Sequence, residues 1–223
     1  MPLNLSKPIT YLITSGATTP STAPASEEFR HILRLVGAAV RAQVSLIQLR
    51  EKNLTARALY ELTARSAELV RGTKTRLLVN DRADIARAAG ADGVHLTTRS
   101  LEASIIRRTF GPDFLIGVST HTLAEARAAS EQGADFAVFG PVFDTSSKRA
   151  YGPPVGLESL REVAQKLSPF PLVALGGLTL DNASAALDAG ASGVAAIRLF
   201  DDPEHLAWII GTIRGCANTQ EAD

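Results

Sequence analysis

Polar residues able to do chemistry occur in a few short phrases, each following an apolar run. In Gln48-Leu49-Arg50-Glu51-Lys52, strand alternation puts Gln48, Arg50 and Lys52 on one face, so two cations and an amide could meet an anion. A solvated charge cluster is the structural alternative. Asn80-Asp81 offers an amide and a carboxylate at a helix start. Asp81 there suits an N-cap on the helix dipole, or a Mg²⁺ ion that takes its other ligands from substrate phosphates. Ser119-Thr120-His121 supplies two hydroxyls and an imidazole, with capping as the plainer role. The stretch Gly140-Pro141-Val142-Phe143-Asp144-Thr145-Ser146-Ser147-Lys148 carries a lysine and several hydroxyls and has the character of a phosphate-gripping loop; plain flexibility is the alternative. Gly176-Gly177 bares backbone N–H groups to an anion, or serves only a tight turn. Arg198 is a second anchor for a phosphate there, or the partner of a neighbouring aspartate.

Residues so far apart can converge only if the fold gathers them. Short β-rich runs alternate with segments of helical period. The strands are expected at Ile9 to Thr14, Ser45 to Leu49, Arg76 to Val79, Gly93 to Leu96, Leu115 to Ser119, Phe136 to Phe139, Pro171 to Ala174 and Gly193 to Ile197. Helices are expected at Glu27 to Ala42, Thr55 to Val70, Ile85 to Ala89, Leu101 to Thr109, Leu123 to Glu131, Leu157 to Lys166, Asn182 to Ala189 and Pro203 to Ile213. Crossover helices force neighbouring strands to run parallel, and eight such units close into an α/β barrel, the (β/α)8 TIM barrel, with an open doubly wound sheet as the other solution. Ala89-Gly90-Ala91-Asp92, Gln132-Gly133-Ala134-Asp135 and Ala189-Gly190-Ala191-Ser192 repeat one helix-to-strand turn, which favours the barrel. In it, residues just past each strand point into a shared mouth. The loop Ser15 to Ser26 also belongs to that rim.

The chain has 223 residues, a length that suits one such barrel, so 1–223 reads as a single domain. Lys plus Arg number 23 and Asp plus Glu 23, leaving no net field to draw nucleic acid or an anionic membrane. Small molecules are the expected partners, and a homo-oligomer stays open. Cys216 is the only cysteine and cannot form an internal disulfide, no apolar run is long enough to span a bilayer, and the apolar run after Lys7 is a strand rather than a signal peptide. The expected compartment is the cytoplasm.

Taken together, Gln48-Leu49-Arg50-Glu51-Lys52, Asn80-Asp81, Asp92-Gly93-Val94-His95-Leu96, Gly117-Val118-Ser119-Thr120-His121, Gly140-Pro141-Val142-Phe143 with Thr145 and Lys148, and Gly176-Gly177 resemble the thiamine phosphate synthase and TenI superfamily, from about Tyr11 to Phe200. The resemblance to the synthase branch implies coupling of hydroxymethylpyrimidine diphosphate with hydroxyethylthiazole phosphate, both phosphorylated thiamine precursors, to give thiamine phosphate and diphosphate. It implies that diphosphate departs with the help of Mg²⁺ and cations, and that the thiazole nitrogen attacks the pyrimidine methylene cation left behind. It further implies that Arg50, Lys52, Asn80 and Lys148 hold diphosphate with Ser119 beside it. Gln48 would orient the pyrimidine, Asp81 bind Mg²⁺, and Thr145 with the Gly177 backbone hold the thiazole phosphate.

Three positions depart from the synthase pattern. Ser100 stands where a second metal-binding aspartate is usual, with Glu102 two residues on; Ser15 replaces an acidic residue after strand one; and Arg198 replaces a serine after strand eight. The change at Ser100 is typical of the TenI branch, whose tautomerases use a histidine matched here by His121 as acid and base. A tautomerase has little use for Arg50, Lys52 and Lys148 together with Asn80-Asp81, so the synthase is favoured. A catalytically silent barrel that binds thiamine precursors is the third reading.

Overall fold

The computed structural model of the protein describes residues 7–145 and 153–218. Its strands are β1 (Ile9–Ile13), β2 (Leu46–Leu49), β3 (Arg76–Asn80), β4 (Gly93–Leu96), β5 (Leu115–Thr120), β6 (Phe136–Phe139), β7 (Leu172–Leu175) and β8 (Gly193–Ala196). The helices between and after them are α1 (Glu27–Arg41), α2 (Ala56–Val70), α3 (Ala83–Ala88), α4 (Ala103–Phe110), α5 (Leu123–Glu131), α6 (Gly156–Leu167), α7 (Leu180–Asp188) and α8 (Leu206–Asn218). All strands pair in parallel with their sequence neighbours, and β1 also pairs with β8 from Ile9↔Gly193 to Leu12↔Ala196. That last ladder closes the barrel and rules out the open sheet.

The period of two along each strand sorts the core into an inside and an outside. Ile9, Tyr11 and Ile13 of β1 join Leu46, Leu78, Phe136, Val138, Val173 and Ala195 in the barrel interior. The alternate residues, among them Leu12, Ile47, Leu49, Leu77, Ala137 and Val194, pack outward against the helices. Inside, Phe136 meets the Tyr11 ring edge-on, with centroids 5.6 Å apart. Gly117 on β5 makes this possible, because a Cβ there would run into the Phe136 ring and come within 2.8 Å of His95 Nδ1.

The repeated helix-to-strand phrase forms the same turn three times. Gly90, Gly133 and Gly190 all take positive φ, and the next N–H reaches five residues back: Ala91 to Ala86 O, Ala134 to Ala129 O, Ala191 to Ala186 O, at 2.9, 3.0 and 3.2 Å. This is a Schellman cap, in which glycine tolerates the left-handed backbone. Asp92 and Asp135 then staple the preceding strands. Asp92 Oδ2 accepts from Leu77 N at 2.8 Å, and Asp135 Oδ2 accepts from Ile116 N at 2.7 Å. Arg76 and Arg107 pair with these two carboxylates at 3.1 and 2.7 Å.

Half of the sixteen N-termini fall where expected and the rest within three residues, and the largest difference is at the C-terminus of the last helix. α8 begins at Leu206 rather than Pro203 and runs on to Asn218, and a single 3-10 turn, Arg198–Phe200, follows β8. Among the described residues no helix is long and apolar enough to cross a membrane.

Candidate active site at the barrel mouth

Inward register continues past the apolar layer to a polar one at the C-terminal ends of the strands. Gln48, Asn80, His95 and Ser119 lie there on β2, β3, β4 and β5, above the buried Tyr11 hydroxyl. Tyr11 Oη donates to Gln48 Oε1 at 3.2 Å and lies 3.1 Å from His95 Nδ1. Gln48 Nε2 donates to Asn80 Oδ1 at 3.1 Å, and His95 Nε2 lies 2.9 Å from Ser119 Oγ. Five side chains from five strands thus make one continuous network. Burial, and after it the positive charge of Arg50, drives the His95 imidazole down to about 3, so it is neutral at ordinary pH. Burial also raises the Tyr11 phenol well above its usual range.

The run after β2 divides by side, as alternation requires. Arg50 is half-buried towards the mouth and Lys52 is exposed on the rim, whereas Glu51 is buried on the opposite side. The Glu51 carboxylate accepts from Thr14 Oγ1 at 2.5 Å, Thr18 Oγ1 at 2.7 Å, Gly16 N at 3.2 Å and Thr18 N at 3.4 Å. Thr14 Oγ1 accepts in turn from Arg50 N at 2.8 Å. The loop after β1 is therefore wrapped around one carboxylate, which also fixes the backbone that carries Arg50. Ser15 in this loop is exposed.

Asp81 is not a helix cap. Its φ is +60°, its N–H donates to His95 O at 2.9 Å, and α3 begins at Ala83 with Arg82 in the capping position. A left-handed backbone is unusual for any residue but glycine and holds the exposed Asp81 carboxylate at the rim. His121 is tied down twice: Nδ1 donates to Gly140 O, and its N–H donates to Glu125 Oε2 at 2.6 Å. It stands outside the Tyr11 network.

A second cluster forms across the mouth. Val142 N donates to Leu175 O at 2.8 Å and Phe143 N to Gly176 O at 3.0 Å, so the loop after β6 runs along the end of β7. Arg198 Nη2 donates to Thr145 Oγ1 at 3.2 Å, joining the β6 and β8 ends. Gly177, at φ +65°, fits beneath this loop only without a side chain, since a Cβ would approach Asp144 O to 2.5 Å and Phe143 Cβ to 2.7 Å. Lys148 lies outside the described residues.

A wide groove of about 1020 Å³ on the outer face is lined by α1, α2 and residues 202–204. Two of its three arginines are engaged locally, Arg34 with Glu27 at 2.6 Å and Arg65 with Glu61 at 2.5 Å, and no residue of either mouth cluster lines it.

The model of a family described as thiamine monophosphate synthase matches residues 17–200. The chain belongs to the thiamine monophosphate synthase family. It is 44% identical over 200 residues to the thiamine-phosphate synthase of Anaeromyxobacter dehalogenans, covering 88% of this chain and 83% of that one. Identity is also 44% to the thiamine-phosphate synthase of Moorella thermoacetica, over 75% of this chain and 80% of that one. A solved thiamine phosphate pyrophosphorylase from Pyrococcus furiosus superposes with a TM-score of 0.77 at 29% identity, covering 94% of this chain and 95% of that one.

Within this family fold the residues available to Mg²⁺ are few. Among the described residues no three His, Cys, Asp or Glu side chains cluster closely enough to hold a metal ion. Ser100 is occupied locally, with Oγ accepting from Thr97 N at 2.8 Å, and Glu102 precedes α4, where its Oε2 accepts from Ser104 Oγ at 3.4 Å. Among the described residues Asp81 offers a rim carboxylate beside Asn80. That set fits an ion that brings phosphate ligands with it, since Mg²⁺ is commonly held by one or two carboxylates plus substrate oxygens.

Tyr11, His95 and Glu51 are the site residues that motif reading did not assign. Two of them could have been found by register. Tyr11 puts a hydroxyl, and His95 an imidazole, on the inward face of otherwise apolar strands, where each must find a polar partner.

Proposed function

We propose that the chain couples hydroxymethylpyrimidine diphosphate with hydroxyethylthiazole phosphate, forming thiamine phosphate and releasing diphosphate. The observation that carries this reading is the pair of polar clusters facing one mouth. Arg50 with Gln48, Asn80 and Ser119 suits one phosphorylated substrate, and Thr145, Arg198 and the Gly177 turn suit another.

In the reaction the methylene C–O bond breaks and its electron pair leaves with diphosphate. The thiazole nitrogen then gives its lone pair to the methylene carbon. This needs neutralisation of charge at the leaving group far more than a strong base. Arg50, Lys52, Asn80 and Lys148 are the groups for that task, Gln48 orients the pyrimidine, and Thr145, Gly177 and Arg198 hold the thiazole phosphate. Mg²⁺ held by Asp81 and the substrate would supply further positive charge. Cytoplasmic placement and small-molecule partners accompany this reading.

The tautomerase alternative rests on His121, whose Nδ1 proton is held by Gly140 O, leaving Nε2 as the basic nitrogen. The deciding experiment gives purified protein both precursors, with and without Mg²⁺, and follows diphosphate and thiamine phosphate together. Metal-dependent, equimolar appearance of both products is expected. Folded protein that yields neither product overturns the synthase reading in favour of His121 chemistry.

A further inference from the structure

The Tyr11 network has a direction, and the direction fixes what Ser119 can offer a ligand. Tyr11 Oη has one proton and two neighbours, Gln48 Oε1 at 3.2 Å and His95 Nδ1 at 3.1 Å. A carbonyl oxygen only accepts, so the phenolic proton goes to Gln48, and His95 must supply its own proton from Nδ1 to Oη. A neutral imidazole protonated on Nδ1 has a bare Nε2. Ser119 Oγ, 2.9 Å away, therefore donates to it. Each link is buried or partly buried, where a misdirected proton would leave two lone pairs facing each other without water.

We infer that Tyr11 is a positioning residue that locks His95 in its Nδ1-protonated tautomer and thereby turns the Ser119 hydroxyl into a hydrogen-bond acceptor towards the barrel mouth. Ser119 then recognises an N–H donor on the substrate, such as an amino N–H on the pyrimidine, and not a phosphoryl oxygen, which needs donors. The opposite polarity is a definite alternative. It requires the Gln48 and Asn80 amides to turn over together, places the proton on His95 Nε2, and makes Ser119 a donor. The substrate's identity rests on the synthase reading; the tautomer does not.

The test is a long-range proton–nitrogen correlation spectrum of the whole chain labelled with ¹⁵N-histidine, with His95 assigned by the signal lost in His95→Gln. A protonated Nδ1 and bare Nε2 are expected in the wild type. Tyr11→Phe removes the acceptor of that proton, and we expect the signal to move to the Nε2-protonated form or to a mixture. In turnover, Tyr11→Phe should raise KM for the pyrimidine diphosphate about tenfold and leave KM for the thiazole phosphate unchanged, as expected for one misdirected buried hydrogen bond. An Nε2-protonated wild-type His95 overturns the inference whether or not the protein turns over. So does a Tyr11→Phe protein with an unchanged tautomer. A chain with the expected tautomer but no synthase activity would leave the network standing and remove only the substrate.

Discussion

Acidification should destabilise this protein through one side chain, His95, by an amount that follows from its burial. The folded imidazole titrates at about 3 against an ordinary value of 6.5. Between those values the unfolded chain binds one more proton than the folded chain, so stability falls as pH falls, at about 1.4 kcal/mol per pH unit. The contribution is fully present above about pH 6.5 and is progressively lost as the pH drops towards 3. At pH 5, about 1.5 units below the unfolded value, the loss is about 2 kcal/mol. Urea unfolding of wild type and of His95→Gln, each at pH 7.5 and pH 5, isolates this term, because glutamine cannot titrate and the other ionisable groups cancel in the double difference. The substitution itself can cost stability without affecting the comparison. Wild type should lose about 2 kcal/mol more than the variant over that interval. An equal loss in both proteins would show that His95 is hydrated enough to be protonated in the folded barrel, and the argument from burial would fail.

Glu51→Leu should cost about 3 kcal/mol, since it orphans the four donors gathered on one carboxylate, and limited proteolysis should then cut within residues 14–26. Asp81→Gly relieves a left-handed backbone and should raise the unfolding free energy by up to about 1 kcal/mol while weakening the Mg²⁺ response of turnover; lower stability would refute the strain, and an unaltered metal titration would refute the ligand. Gly177→Ala must displace Asp144 and Phe143, so KM for the thiazole phosphate should rise about tenfold with KM for the pyrimidine diphosphate unaffected; equal effects on both substrates would dissolve the two-cluster reading.

Periodicity and turn chemistry made the barrel legible. Each strand was visible as a short apolar run, and the three Gly-Ala phrases already carried the caps that the structure forms at Gly90, Gly133 and Gly190. The site was legible only as far as direction. Alternation correctly sends Gln48 inward and Glu51 the other way, but a period of two says which side a residue faces and never whom it meets there. Hence Glu51 read as one more charge in a cluster, although it anchors the loop from Thr14 to Thr18. Asp81 reads readily as a cap because sequence does not reveal the sign of φ, and its +60° separates it from the helix. Tyr11 sits near the start of the chain, 84 residues from the His95 it contacts, so only closure of β1 against its neighbours shows that the two share one interior.

The Asp92 and Asp135 staples lie at the N-terminal ends of β3, β4, β5 and β6, the floor of the barrel, while both polar clusters lie at the opposite end. Architecture and reactivity are therefore inherited through different residues. A descendant of this chain could trade the loops after β6 and β8 for others, and with them its choice of phosphorylated partner, while every floor staple stayed in place. Selection on the rim can proceed quickly for that reason, and selection on the floor can remain blind to the chemistry above it.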